Sequence, residues 1–435
     1  MNFPTGSLIR STEALCPICK RRLQAAYVRQ GEEIVLWRRC PDHGEFSIPV
    51  WRGRCDFTQW TMNAPVMRSG ENPSCPTGCG LCADHRQATC CVVLPITERC
   101  NLSCRHCFAD PNQSADPPFE QVEAWLKKLA VPGQTLVQLT GGEATLRDDL
   151  PDITASARRA GCRYVQLNSN GLRLARDEGF VKKLAEAGLS FVFLQFDGLD
   201  DSVYEKLRGQ PLREKKEQAI ENCARHNIGV TLVPTMVPGV NTDQVGNIIR
   251  FAVEHSPAVR GVHFQPVSYF GRSPAPPAVA PRYTLDELLY DIVNQSNGLI
   301  KEEDISPSRC DHPMCGLHGD FMTLPGGGLM ALGKREINGA EQSCCCGQEA
   351  AAKNREFVGR RWQRPQKSLD CGCCDLQEPD LTDMEQFAAR AQSHGFTITA
   401  MAFQDAATLD IARLRQCSLH VFADGKYVPF CAYYL

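Results

Sequence analysis

Twenty-four cysteines in 435 residues, gathered in tight groups, limit what this chain can become. Thiols two or three residues apart on short loops suit metal ions or iron–sulfur clusters. A disulfide scaffold is short and poor in core, whereas this chain is long and opens without the apolar run of a secretory signal. With 43% hydrophobic and 22% charged residues it reads as a soluble globular protein of two or three units. No apolar run approaches the roughly 18 residues that span a bilayer. The net charge of −3, from 47 Lys and Arg against 50 Asp and Glu, gives no electrostatic case for nucleic acid or an anionic membrane. The expected location is the cytoplasm.

Composition divides the chain into three. Residues 1–90 hold eight cysteines with only short strand-like runs at 33–38 and 45–51, a small module that depends on metal more than on core. Residues 91–298 alternate apolar β-rich runs (91–97, 135–140, 163–168, 190–196, 230–235 and 261–267) with helical patterns (119–130, 150–160, 179–187, 213–226 and 243–255). That alternation predicts an α/β fold with a parallel sheet. Six units predict a partial (βα)6 barrel of TIM type, with its chemistry at the C-terminal ends of the strands. From 299 to 435 the cysteines return, and 383–435 reads again as α/β: an auxiliary-cluster extension.

Directly after the first barrel run stands Cys100-Asn-Leu-Ser-Cys104-Arg-His-Cys107. Three thiolates on one loop can hold three corners of a [4Fe–4S] cube and leave the fourth iron open to a ligand. The bland alternative is a zinc knuckle with His106 as fourth donor. Around the same rim follow Thr140-Gly141-Gly142-Glu143, Asn168-Ser169-Asn170-Gly171 and Gln195-Phe196-Asp197-Gly198, each after one strand. Singly these read as turns and helix caps; their joint order gives them weight.

Cys100, Cys104 and Cys107 followed by a Gly-Gly-Glu loop resemble the radical S-adenosylmethionine (SAM) superfamily. The resemblance implies that SAM chelates the open iron and that one electron cleaves it to a 5′-deoxyadenosyl radical, which abstracts hydrogen from substrate. It implies SAM contacts at Gly141, Gly142 and Glu143, with Asn170 and Gln195 as further candidates. Cys-Pro-x-Cys, Cys-Gly-Leu-Cys-x-x-His, Leu-Gln-Phe-Asp-Gly, Phe-Gln-Pro-Val, His-Pro-x-Cys-Gly and Pro-Phe-Cys-Ala-Tyr extend the resemblance over nearly the whole chain. They are similar to the branch holding an archaeal tetraether lipid synthase and a dihydropterin methylase. For this chain that implies C–C bond formation or methylation on a small-molecule or lipid-like substrate. It also implies auxiliary clusters and an electron donor such as ferredoxin or flavodoxin.

The other thiols suggest further sites. Cys16, Cys19, Cys40 and His43 have zinc-ribbon or rubredoxin-like spacing for Zn or a single Fe, with Cys55 as the alternative fourth ligand. Cys75, Cys79 and Cys82 repeat the C-x3-C-x2-C run, with Cys90 favoured as fourth ligand and a His85 zinc knuckle as alternative. Strand alternation sets Cys90 and Cys91 on opposite faces. Cys310, Cys315 and Cys344 are expected to hold another auxiliary cluster, while vicinal Cys345/Cys346 and Cys373/Cys374 suit a redox or sulfur-handling role. Cys162 and Cys223 read as buried and inert. Cys417 and Cys431 are open between ligand and core, and His263 reads as a core or turn residue. The rival classes are a sulfur-handling radical enzyme, a non-catalytic iron–sulfur carrier or scaffold, and a nucleic-acid modifier, the last disfavoured by charge.

Overall fold

A computed structural model describes residues 6–62, 64, 75, 76, 78, 80–109, 114–308, 310–333, 347–365 and 383–435. Cys79, Cys344–Cys346, Cys371, Cys373 and Cys374 lie outside the described residues.

The first strands are β1 (Ser7–Leu15), β2 (Arg22–Gln30), β3 (Glu33–Cys40) and β4 (Gly44–Trp51), a four-stranded antiparallel meander. Its tight turns after β1 and β3 carry Cys16/Cys19 and Cys40/His43. Next come β5 (Cys91–Pro95), β6 (Leu136–Thr140), β7 (Tyr164–Ser169), β8 (Phe191–Gln195), β9 (Gly229–Val233), β10 (Thr235–Met236) and β11 (Val259–Pro266). The later strands are β12 (Ser306–Pro307), β13 (Gly316–Thr323), β14 (Leu329–Ala331), β15 (Gly395–Met401), β16 (Leu419–Ala423) and β17 (Lys426–Pro429).

Strands β5, β6, β7, β8, β9 and β11 lie side by side and parallel in chain order, as the alternation of apolar runs and helices predicts. Their outer faces bury Leu94, Leu139, Leu167, Val192 and Leu232 beneath helices whose apolar residues recur every three or four positions, such as Val122, Leu126 and Leu129. Each such side chain contributes about 1.5–3 kcal/mol on burial.

The sheet does not stop at six. β15 pairs parallel with β11, and β16 pairs parallel with β5, so eight parallel strands stand in one row. Antiparallel β13 covers β15, and β17 covers β16. A six-strand half-barrel would expose two open edges, and these late strands occupy both. Residues 395–435, expected in a separate extension, therefore share the sheet of the central unit.

The meander docks through Asp410, which is fully buried at the start of a short helix, Ile411–Leu414. Its carboxylate accepts from Tyr27 Oη (2.8 Å), Thr12 Oγ1 (2.6 Å) and Arg10 Nη2 (3.0 Å), and caps the helix through Ala412 N–H (2.9 Å). Among the described residues, no helix is long and apolar enough to cross a membrane.

Candidate functional site

Beyond β5 the chain turns across the C-terminal rim of the barrel, and two glycines fix how closely it passes. Gly142 N–H donates to Thr97 O (2.9 Å) and Glu143 N–H donates to Arg99 O (2.8 Å). Gly141 adopts φ 146°, and a Cβ there or at Gly142 would collide with the Thr97 or Arg99 carbonyl oxygen. The Gly-Gly pair thus presses the strand end that carries the cysteines onto the neighbouring rim. Further along, Cys107 exchanges two main-chain bonds with Arg272 (3.1 and 3.0 Å). Cys100, Cys104 and Cys107 line one cavity of about 360 Å³ together with Gly141, Gly142, Glu143, Asn170 and Gln195. Burial, joined by the negative charge of Glu143, Cys104 and Cys107, pushes the Cys100 thiol up to about 11. Clustered anionic donors of this kind fit a cationic iron centre, which removes that mutual cost.

Glu143 faces inward and is 2% exposed. Its Oε1 accepts from Thr145 N–H (3.1 Å), Thr145 Oγ1 (2.5 Å) and Ser169 Oγ (2.8 Å), while Oε2 accepts from Asn170 N–H (2.6 Å). The carboxylate therefore joins the rim segments after β6 and β7. The Asn170 amide donates to Asn101 Oδ1 (2.8 Å) on the cysteine loop and accepts from Leu172 N–H (3.0 Å). Gln195 accepts from Lys216 Nζ (3.2 Å), which also donates to the Asn170 carbonyl (2.5 Å).

Lys216 escaped the sequence reading, because the run Arg213-Glu-Lys-Lys-Glu looks like a solvated helix face. It is fully buried, and burial lowers its pKa to about 8. Asp197 also differs from expectation. Its carboxylate is bidentate with Arg208 (2.7 Å twice) and accepts from Thr235 N–H (3.1 Å), all beneath the surface. The Arg208 guanidinium lies beside Cys104. His106 meets Tyr269 edge-on at 5.8 Å, and burial, with Arg208 and Arg105 nearby, lowers its pKa to about 4. His263 sits inside the barrel on Thr399 Oγ1 (2.8 Å) and is lowered to about 4 by burial.

In the meander, donor atoms of Cys16, Cys19, Cys40 and His43 all lie within 4.8 Å of one another. Cys19–Cys40 is 3.9 Å, Cys16–His43 3.6 Å and Cys40–His43 3.4 Å. A tetrahedron built on Zn–S bonds of about 2.3 Å has edges of about 3.8 Å, so the donor set fits that ion. Cys55 stands outside the group, its carbonyl accepting from Trp51 Nε1 (2.8 Å). Burial acts upward on Cys40, but hydrogen bonds from His43 and the main chain of Asp42 and His43 bring the thiol to about 6.

Residues 94–252 match the Radical SAM superfamily, and residues 8–52 match the HMPTM N-terminal zinc ribbon domain. The chain is 31% identical to the 7,8-dihydro-6-hydroxymethylpterin dimethyltransferase of Methanocaldococcus jannaschii, over 98% of this chain and 93% of that one. It belongs to the radical SAM superfamily. Fe-coproporphyrin III synthase of Methanosarcina barkeri is 36% identical over 32% of this chain and 35% of its own length. The crystal structure of Streptococcus suis SuiB bound to S-adenosylmethionine is a distant likeness, with TM-score 0.37 and 16% identity over 46% of this chain and 45% of that one.

Among the described residues of this radical SAM enzyme, seven further thiols form two gatherings. Cys90, Cys91 and Cys310 line the same cavity as the 100–107 loop. The Cys90 and Cys91 sulfurs are 3.7 Å apart, and the Cys90 sulfur lies beside that of Cys310. The opposite-face expectation fails because Cys90 precedes β5, where no pleat governs it; its N–H donates to Ser418 O (2.8 Å). In the second gathering Cys417 lies near Cys431 and Cys315, and Cys75 shares an apolar cluster with Cys431. His85 Nε2 and His420 Nε2 are 3.1 Å apart, each 2.9 Å from the Cys417 carbonyl oxygen. Cys162 and Cys223 are buried in the main core, as read.

Proposed function

We propose that this radical SAM enzyme methylates a small planar heterocycle of the pterin type. The carrying observation is the cavity: the cysteine loop and the Gly-Gly-Glu rim open into a lumen walled by amides and aromatic rings, including Gln138, Asn168, Phe193 and Trp362. The whole-length likeness to a dihydropterin dimethyltransferase supports the same substrate class. An alkyl chain of a lipid would cover the Gln138 NH2 group, the donor end of the Gln138–Asn168 pair, without matching it, at roughly 1–3 kcal/mol.

We infer that Cys100, Cys104 and Cys107 hold the [4Fe–4S] cluster. When bound, cluster and SAM together supply the hydrogen-abstracting radical. The main chain at Gly141–Gly142 offers the close approach that the SAM amino group needs, and Glu143 holds that turn in place. Lys216 fixes the Asn170 carbonyl and the Gln195 side chain as the rest of the SAM rim. The Asp197–Arg208 pair sets a cation beside Cys104. Phe193 and Trp362 exclude water from the lumen, which protects a radical from side reactions. The Cys90/Cys91/Cys310 and Cys315/Cys417/Cys431 gatherings are the auxiliary metal positions of this reading. A low-potential cytoplasmic carrier such as ferredoxin or flavodoxin supplies the electron.

The test is anaerobic reconstitution with iron, sulfide, dithionite, SAM and 7,8-dihydro-6-hydroxymethylpterin, followed by mass spectrometry. Wild type should form 5′-deoxyadenosine and a methylated pterin, and Cys104→Ala neither. A wild type with an intact cluster that cleaves SAM yet takes no deuterium from carbon-deuterated pterin into 5′-deoxyadenosine overturns the substrate class, whatever molecule donates the methyl group.

A further inference from the structure

An unfinished chain of amides runs from the lumen wall into the layer beneath it. Gln166 Nε2 donates to Asn168 Oδ1 (2.6 Å), and Asn168 Nδ2 donates to Gln138 Oε1 (3.4 Å). Gln138 and Asn168 line the cavity, and Gln166, two residues before Asn168 on β7, shares its face. Three primary amides joined by two such bonds leave a carbonyl oxygen at one end and an NH2 group at the other, whichever way the row is turned. Here the oxygen is Gln166 Oε1, which is buried without a partner, and the NH2 end belongs to Gln138. On β9 the Thr231 hydroxyl is likewise buried and unmatched, on the same strand face as the cavity-lining Val233. Buried polar atoms in folded proteins nearly always find a partner, and clustered exceptions mark places where a ligand or water completes the set.

Beside the amide row stands an aromatic surface. Phe193, the cross-strand neighbour of both Asn168 and Thr231, packs against Trp362 with ring centroids 4.6 Å apart. The two rings meet edge to face, with planes at 62°, so a flat molecule can stack on one of them while its edge carries the pair converse to the amide row.

We propose that the Gln166–Asn168–Gln138 row is the specificity edge of the substrate pocket. It takes a planar lactam heterocycle through a ring N–H and a ring C=O, with the ring stacked on Phe193 and bordered by Trp362. The assignment rests on the small-heterocycle reading above and adds the residues that enforce it. The Gln138 amide, on the cavity wall, donates to the ring C=O, and Gln166 Oε1, one layer beneath the wall, accepts the ring N–H once the amide row turns to meet it; the Thr231 hydroxyl lies in that same buried layer. An apolar substrate meets none of these groups, so the row selects against lipids as well as for lactams.

The experiment compares wild type with Gln166→Met and Gln138→Met, which keep side-chain length and remove the amide. Binding of 7,8-dihydro-6-hydroxymethylpterin is measured anaerobically by equilibrium dialysis with SAM present and no reductant. Zinc content, iron–sulfur absorbance and melting temperature show that each variant is folded, and Thr231→Val serves if a Met variant is not. The proposal predicts Kd raised by about tenfold or more in the folded variants. Unchanged Kd overturns it and leaves only a water on the orphan oxygen, while the pterin reading stands. If wild type ignores the pterin but binds a purinone, and Gln166→Met does not, the edge is right and the pterin reading wrong. If wild type binds no lactam heterocycle, both fall.

Discussion

Glu143 is predicted to hold the barrel rim together, and the structure gives the size of the effect. In Glu143→Gln the carbonyl oxygen can keep the Oε1 position, where Thr145 N–H, Thr145 Oγ1 and Ser169 Oγ converge. The new NH2 then faces Asn170 N–H, which now meets Oε2 at 2.6 Å. Hydroxyls can rotate away from a conflict, but a main-chain N–H cannot. One unmatched buried donor costs about 1–3 kcal/mol, or about 5- to 150-fold in a local opening equilibrium. Glu143→Ala strands Thr145 N–H as well, raising the range to about 2–6 kcal/mol. The assay is hydrogen exchange by mass spectrometry on the peptide spanning 166–172, in protein without SAM. The Gln variant should exchange faster by that factor, and the Ala variant should also melt earlier. If both exchange like wild type and only SAM affinity falls, the carboxylate is a ligand group and the rim stands without it.

Gly142→Ala should block assembly of the cysteine loop, because its Cβ has no room against the Arg99 carbonyl. The expected result is loss of visible iron–sulfur absorbance after reconstitution, with zinc content unchanged. Asp410→Ala removes the shared acceptor of Tyr27, Thr12 and Arg10, at about 2–4 kcal/mol, and limited proteolysis should then release the N-terminal meander. Zinc affinity should fall with falling pH as protons compete for thiolate. Cys40 is already ionised above about pH 6, so it adds its one-proton slope only below that value. Competition with a chromophoric chelator across pH 5–8 reads that break as a steepening on the acid side.

What the sequence revealed and what it hid divides by distance along the chain. Cys100–Cys107 lies on one loop, and Cys16/Cys19 and Cys40/His43 each lie on one turn, so local geometry makes these spacings readable. The apolar strands and the three-to-four periodicity of helices such as Phe119–Leu129 are equally local. Nothing near Cys90 points to Cys310, since that meeting is made by the closing of the sheet. Lys216 was hidden because charged neighbours on its helix mask the one charged position that turns inward. Asp197 looked like a turn residue because its partner Arg208 lies a helix away. Strands β15 and β16 were readable as α/β but not as neighbours of β11 and β5, since parallel pairing leaves no mark on loop length.

The flanking of β5 and β11 by the last strands also orders events in time. During synthesis the six central strands emerge first, with two unpaired edges open to any other strand until residues 395–423 leave the ribosome. Ser418, which meets both Cys310 and Cys90, belongs to that late stretch. Any metal held by Cys90, Cys91 and Cys310 would therefore load only after residue 418 has emerged, whereas the N-terminal meander can take its ion earlier in translation. A nascent chain stalled before residue 395 should bind zinc and fail to retain iron.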